Sequence, residues 1–139
     1  MNQAQTEIIV ESAGQGLTDF TQGVVNWVKS TGIEDGLLTL FCRHTSASLT
    51  IQENADPDVL RDLQDFFKGI AREDPALYRH TCEGPDDMPA HIRSALTDVS
   101  LSIPVAGGRL ALGTWQGIYL FEHRTRTHKR SIRLHLLGE

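Results

Sequence analysis

The sequence contains few cysteines and no long apolar run, and each absence excludes a class of protein. Its two cysteines, Cys42 and Cys82, are too few for the disulfide framework of a small secreted domain and show no CxxC spacing. No apolar run approaches the ~18 residues that a membrane-spanning helix needs. The first seven residues have neither the basic nor the apolar region of a signal peptide. We therefore expect a soluble, cytoplasmic protein that does not act at a membrane.

An excess of positive charge is also absent. Lysine and arginine number 13 against 18 aspartates and glutamates, which gives a net charge of −5 and disfavours a dedicated nucleic-acid-binding protein. A length of 139 residues is typical of one domain and is too short for a (β/α)₈ barrel, which needs roughly 200 residues. No linker, low-complexity tract or repeat divides the chain. We expect a single domain spanning residues 1–139.

Hydrophobic periodicity predicts two to three helices. The clearest begins at Asp56-Pro57, where a capping acceptor precedes a proline, and ends near Gly69. Another runs from position 18 or 19 to a glycine at 32, and a short one begins at Pro89 after a loop at 72–87. The side chains of the short helix that we expect to be buried are Ile92, Ala95 and Leu96.

Alternation of apolar and polar residues predicts more strands than helices. The last strand is typical of a half-exposed position, because Ile132, Leu134 and Leu136 alternate with Arg133 and His135. The helices interrupt the strands irregularly, which indicates an α+β fold with a mainly antiparallel sheet. The predicted strands are residues 6–11, 37–43, 47–52, 99–105, 109–112, 118–124 and 131–137.

Polar residues cluster after the second predicted strand. His44, Thr45, Ser46 and Ser48 combine an imidazole with three hydroxyls, which can bind an anion or orient a metal-bound histidine. A β-turn whose hydroxyls bond the local backbone explains the same residues equally well.

Two further segments carry carboxylates before a predicted helix. Asp56 is explained as a helix cap, whereas Glu53 and Asn54 have no such structural role. Asp86 and its neighbour precede the short helix, whose positive end favours one carboxylate, and His91 lies near the buried edge of that helix. Two imidazoles with a carboxylate suit a divalent metal ion, although no histidine pair shows the spacing of a metal motif.

The fourth polar segment runs from 113 to 133. Trp115 and Gln116 lie in a glycine-bounded turn, and Glu122 and Arg124 replace apolar side chains at the end of the next strand. Five of the 13 basic residues fall between 124 and 133, and this excess can hold a phosphate or form a solvated hairpin tip. No P-loop, dinucleotide fingerprint, Ser-His-Asp elbow or cysteine nucleophile is present.

Four strings together resemble the YjbQ family, also called UPF0047 and known as secondary thiamine-phosphate synthases. They span residues 44–51, 53–57, 85–92 and 112–118, and the last contains the Gly-Thr-Trp-Gln turn. The resemblance implies a YjbQ-like α+β subunit in a homotrimer, with polar motifs near subunit boundaries. It also implies a divalent-metal site, for Mg²⁺ or Zn²⁺, or an anion site, to which His44, Glu53 and His91 contribute. This chain departs from many relatives at 86–91 and 121–124, where it keeps acidic and basic residues but changes the set of possible ligands.

The implied activity joins a thiazole phosphate to a hydroxymethylpyrimidine diphosphate and releases pyrophosphate. A metal ion or arginines must neutralise the charge of the leaving diphosphate, and the cavity must tolerate the positive charge that develops on the pyrimidine. The resemblance assigns catalytic roles to His44, Glu53, His91 and Arg124, and metal binding to His44, His91 and Asp86. A non-catalytic trimer that binds an anion or metabolite is the alternative. The residues expected to bind the phosphorylated substrate or anion are Thr45, Ser46, Ser48, Asn54, Trp115, Gln116 and Glu122.

Overall fold

The computed structural model describes all 139 residues. The predicted elements appear in the predicted order with shifted ends, but the strand at Gly16–Asp19 was not predicted, and the first helix begins after it, at Thr21. The strands are β1 (Asn2–Glu11), β2 (Gly16–Asp19), β3 (Gly36–Cys42), β4 (Ala47–Glu53), β5 (Ser100–Ala106), β6 (Arg109–Leu110), β7 (Gln116–Glu122) and β8 (Lys129–Gly138). The helices are α1 (Thr21–Thr31), α2 (Pro57–Ile70) and α3 (Asp87–Leu96), with a short 3₁₀ helix at Pro75–Leu77.

The strands form two antiparallel sheets, which confirms the α+β class. One sheet has the order β1-β8-β3-β5-β6, and the other has the order β2-β7-β4. Alternate side chains of β3 and β8, with α1 and the inner face of the small sheet, form the apolar core. In β8 this inner face consists of Ile132, Leu134 and Leu136, as the alternation predicted. None of the three helices is long and apolar enough to cross a membrane.

The predicted start of α2 is confirmed. The Asp56 side chain accepts a hydrogen bond of 2.9 Å from the Asp58 N–H, and Pro57 occupies the first turn. Unlike a core helix, α2 has no fully buried residue, and Phe66 and Ile70 on its apolar face are 60% and 49% exposed. The amphipathic pattern therefore predicted the helix correctly, but the apolar face that it indicated is only partly buried.

The predicted inner face of α3 is wrong for two of its three residues, and the third, Ile92, is half-buried. Leu96 is 60% exposed and Ala95 is exposed, whereas Pro89, Ala90 and Arg93 are buried. The helix also begins two residues earlier than predicted, at Asp87. Charged residues occupy the inner side instead: Asp86 and Asp87 pair with Arg124, and Arg93 donates to the Ala71 carbonyl.

Candidate metal centre

Three ligand-type side chains converge at the start of α3. One nitrogen or oxygen atom from each of His80, Asp87 and His91 lies within 4.8 Å of the other two. The Nε2 atom of His80 is 2.6 Å from Asp87 Oδ2, and the Nε2 atom of His91 is 3.1 Å from the same oxygen. A single carboxylate oxygen thus holds two imidazoles, a donor set that suits a transition metal ion.

Local structure explains this convergence. Asp87 and His91 are four residues apart on α3, so their side chains lie on the same face one turn apart. His80 comes from the irregular segment after the 3₁₀ helix and packs with its ring centroid 5.5 Å from that of His91. The three groups are graded in exposure: the Asp87 side chain is 3% exposed, that of His91 30% and that of His80 41%. The site therefore has a buried floor and an open side.

The contacts of His91 fix the position of its proton. Its Nδ1 atom lies 3.0 Å from the Thr45 carbonyl oxygen, which can only accept, so Nδ1 carries the hydrogen. In the neutral ring Nε2 then carries a lone pair that faces the Asp87 oxygen, so both facing atoms are hydrogen-bond acceptors. Two facing acceptors need a proton or a cation between them. Histidines that bind metals usually donate their other ring N–H to a carbonyl or carboxylate in this way, which fixes the orientation of the ring.

Arg124 orients the aspartate of this cluster. Its Nε donates to Asp86 Oδ2 at 2.8 Å, its NH1 donates to Asp87 Oδ1 at 2.7 Å, and its NH2 donates to the Glu83 carbonyl at 2.9 Å. Burial alone would raise the pKa of Asp86, but the bonds from Arg124 and the Thr125 backbone lower it to about 2. Arg124 is thus engaged by two carboxylates and turns Asp87 Oδ2 toward the histidines.

The predicted residues around His44 lie beside a second hollow. This hollow has a volume of about 680 Å³, and His44, Thr45, Ser46 and Arg130 contribute to its wall. His44 Nε2 accepts a hydrogen bond of 2.7 Å from the Ser131 N–H, and burial, together with the charge of Arg130, lowers the pKa of the imidazole. His44 and His91 therefore flank the same turn but point to different neighbours, and the structure groups His91 with His80 instead.

Two other predicted anion-binding residues are committed to internal contacts. The Ser48 hydroxyl is buried, 2.8 Å from His123 Nε2 and 2.6 Å from Thr97 Oγ1. Glu122 is fully buried and accepts hydrogen bonds from Arg130 and from the Ser12 hydroxyl. Both residues hold the small sheet to its surroundings, and neither faces open space.

The remaining predicted residues lie at the far end of the small sheet. Glu53 closes β4, and six residue steps at about 3.3 Å each separate it from Ala47, a distance of about 20 Å. Its carboxylate accepts from the Asp56 N–H at 3.1 Å. Asn54, Trp115 and Gln116 form the adjoining turn, where the Asn54 N–H donates to the Trp115 carbonyl. Within one chain the structure does not bring Glu53 or this turn to the histidines.

Sequence reasoning missed His80 and did not choose Asp87 as a ligand. His80 lies in a segment without periodicity, so no pattern marked it. The four-residue spacing of Asp87 and His91 was a usable signal, because a helix places such residues on one face. The sequence alone did not show whether Asp86 or Asp87 is the ligand. In the structure Arg124 bonds one oxygen of Asp87 and leaves its other oxygen facing the histidines.

Comparison with known proteins decides the family. The family model described as UPF0047 protein YjbQ-like matches residues 6–139. The chain belongs to the YjbQ/UPF0047 family. A UPF0047 protein of Synechocystis is 53% identical over 137 residues, covering 99% of this chain and 93% of the relative. The UPF0047 protein YjbQ of Escherichia coli O157:H7 is 41% identical over 136 residues, covering 97% and 98%.

Solved structures of YjbQ-like proteins share the fold. A crystal structure from Sulfolobus solfataricus, described as a YbjQ-like protein of unknown function, has a TM-score of 0.90 at 27% identity and covers 99% of both chains. A hypothetical protein from Aeropyrum pernix has a TM-score of 0.84 at 30% identity and covers 100% of both. These likenesses establish the YjbQ-like fold of this chain, and the family is one of unknown function.

Proposed function

We propose that this YjbQ-family protein is a metal-dependent transferase that acts on a small phosphorylated molecule. The observation that carries the proposal is the meeting of His80 and His91 at one oxygen of Asp87, with His91 held by the Thr45 carbonyl. Two imidazoles and one carboxylate are the ligand set of catalytic zinc and related transition-metal sites, which keep an open position. Imidazole ligands favour Zn²⁺ over Mg²⁺, which prefers oxygen.

The bound ion would supply Lewis-acid character and neutralise charge on a leaving phosphate or diphosphate. The protein's own residues prepare for that chemistry. Arg124 fixes the Asp87 carboxylate, and the Thr45 carbonyl fixes the His91 ring, so neither ligand needs to reorganise. The neighbouring hollow of about 680 Å³ is within the range of small-molecule sites, and Arg43 on its wall has no carboxylate partner.

The first reaction to test is the one that the family resemblance implies, the joining of a thiazole phosphate to a hydroxymethylpyrimidine diphosphate. A non-catalytic anion-binding role is the second candidate. It is favoured by the internal hydrogen bonds of His44, Ser46 and Ser48, which engage His44 Nε2 and both hydroxyls within the protein. Only the first candidate predicts turnover of a substrate, and both are compatible with the same metal centre.

Thiamine-phosphate formation by the zinc-loaded protein is expected to be abolished by His91→Ala, because this change removes one of three ligands. The measurement is product formation by chromatography, with wild type assayed before and after chelation and again after zinc is restored. His135→Ala is the matched control, since His135 lies on β8 and contacts Gln3, away from the cluster. Equal rates in wild type and His91→Ala would show that the metal centre takes no part in the reaction. Zinc binding without any product would favour the second candidate.

We further propose that the protein assembles as a homotrimer. Leu37 and Leu137 are opposite each other on β3 and β8 and are 48% and 42% exposed, and Phe41 on the same face of the large sheet is 47% exposed. Such an apolar patch on a sheet face is typical of an interaction surface. A trimer would also allow the turn at Asn54 and Trp115 of one subunit to approach the histidines of another.

Light scattering coupled to size-exclusion chromatography is expected to give three times the chain mass of 15.4 kDa. Leu37→Lys combined with Leu137→Lys should dissociate the trimer, because each change places an unpaired charge in the patch. Leu77→Lys is the control, as Leu77 is 50% exposed in the 3₁₀ helix, outside the patch. A monomeric wild type would contradict the proposal.

A further inference from the structure

Another polar hollow, distinct from the one beside His44, lies between the end of α2 and α3, and we call it the Arg93 hollow. It has a volume of about 410 Å³, and no hydrophobic residue contributes to its wall. Three of the residues that form it are cationic and one is acidic, in a protein whose net charge is −5. The lining residues are Gln15, Lys68, Arg72, Glu73, Arg93 and Thr125.

Arg93 is a buried cation without a carboxylate partner. The residue is 4% exposed, and its Nε and NH2 donate to the carbonyls of Phe67 and Ala71 at the end of α2, at 3.3 and 2.7 Å. These two bonds use two of the five N–H donors of the guanidinium. NH1 makes no hydrogen bond and is not fully buried, so it is free to donate. Burial lowers the pKa of Arg93, because its charge is only partly compensated.

The other two cations are also unpaired. Lys68 and Arg72 lie at the end of α2, and neither side chain has a carboxylate within 4.0 Å or a hydrogen bond. Glu73 is the one acid on the wall, and its carboxylate accepts from the Gln15 amide at 3.1 Å. The wall thus carries a net charge of about 2+ with free N–H donors, which complements a dianion.

An unpaired buried atom lies in the adjoining void. His123 is 1% exposed, and its Nδ1 has no hydrogen-bond partner. The void that it lines shares Gln15, Lys68 and Arg93 with the Arg93 hollow. Burial, reinforced by the charge of Arg93, lowers the pKa of His123 to about 3, so the ring is neutral at physiological pH. The void has a volume of about 10 Å³, which is room for one water at most, and such a water would satisfy the buried Nδ1 atom.

We propose that the Arg93 hollow is a binding site for a phosphate monoester dianion. The NH1 group of Arg93 provides free N–H donors, Lys68 and Arg72 provide charge, and the volume leaves room for the organic group of the ester. The site is separate from the metal centre and goes beyond the proposed function. Thr125 stands between the two: it lines the hollow, and its N–H and hydroxyl lie 3.0 and 3.2 Å from Asp86 Oδ2.

The test is a calorimetric titration of chelator-treated protein with inorganic phosphate at pH 8 and constant ionic strength, because a metal would bind phosphate by itself. Wild type is expected to bind, and Lys68→Gln combined with Arg72→Gln should weaken binding by about tenfold or more, because the variant removes two of the three cations on the wall. Both residues are exposed, so the variant should fold. Lys29→Gln combined with Arg61→Gln removes the same charge elsewhere and should bind as wild type does.

Two further variants locate the site. Arg93→Gln, first checked for folding by circular dichroism, should lose more affinity than the surface double variant. Asp87→Asn should bind phosphate unchanged, which separates this site from the metal centre even if the proposed activity fails. Acetate should compete weakly because it carries one charge. Absence of phosphate binding by wild type, or equal affinity in the Lys68/Arg72 variant and its charge-matched control, would overturn the proposal.

Discussion

Replacing Arg130 with leucine is expected to lower the free energy of unfolding by about 3–5 kcal/mol, the typical cost of removing one partner of a buried ion pair. Glu122 is fully buried, and its oxygens accept from Arg130 Nε at 2.8 Å and from the Ser12 hydroxyl at 2.6 Å. Without Arg130 the carboxylate would stay buried without its counter-charge. Chemical denaturation of wild type and variant at pH 7 measures the difference.

Two variants separate lost charge pairing from lost packing. Arg133→Leu on the same strand removes an exposed arginine and should change stability by only about 0.5 kcal/mol. Adding Glu122→Gln to Arg130→Leu should restore part of the loss, because a neutral amide needs no counter-charge. A wild-type stability for Arg130→Leu would contradict the role assigned to the pair.

The same pair predicts how stability changes with pH. Burial by itself raises the pKa of Glu122, but the hydrogen bonds from Arg130 and Ser12 outweigh it and hold the pKa below the ordinary value of 4.5. A carboxyl whose pKa is lower in the folded state stabilises the protein above its unfolded pKa. That contribution is lost as the pH falls from about 4.5 through the folded value. The stability difference between wild type and Arg130→Leu should therefore shrink in acid.

Much of the fold could be predicted because its strands and caps depend on local patterns. The alternation of residues 132–136 fixes the inner face of β8, and Asp56-Pro57 fixes the start of α2. The face of α3 could not be predicted from apolar periodicity, since its buried side includes Asp87 and Arg93, which bond residues distant in the sequence. Arg124 lies 38 residues from Asp86, and hydrophobic spacing carries no information about such a contact.

The candidate site was harder to predict than the fold for the same reason. The sequence predicts polar segments at 44–48 and 83–91, and the structure places them in contact through Thr45 and His91. Glu53 was grouped with them by resemblance, but strand geometry places it at the opposite end of β4. A polar segment identifies a candidate, whereas the fold decides which of its side chains meet.

Asp87→Asn is expected to weaken zinc binding by more than about 100-fold. The substitution keeps the shape of the side chain but removes the negative charge shared by His80 and His91, and two neutral imidazoles alone bind a divalent ion poorly. Competition with a zinc-sensitive indicator at pH 7.5 measures the affinity. Asp65→Asn, on the exposed face of α2, is the matched control.

Arg124→Lys tests whether the aspartate must be oriented as well as present. Lysine keeps the charge but lacks the planar fork that bonds both Asp86 and Asp87. Zinc affinity should therefore fall by roughly 10–100-fold, the usual effect of changing a residue that orients a metal ligand. Unchanged affinity in both variants would mean that the cluster binds no metal. A loss in Asp87→Asn alone would mean that the carboxylate finds its position without Arg124. Graded losses, larger for Asp87→Asn, follow if Arg124 acts through the ligand that it holds.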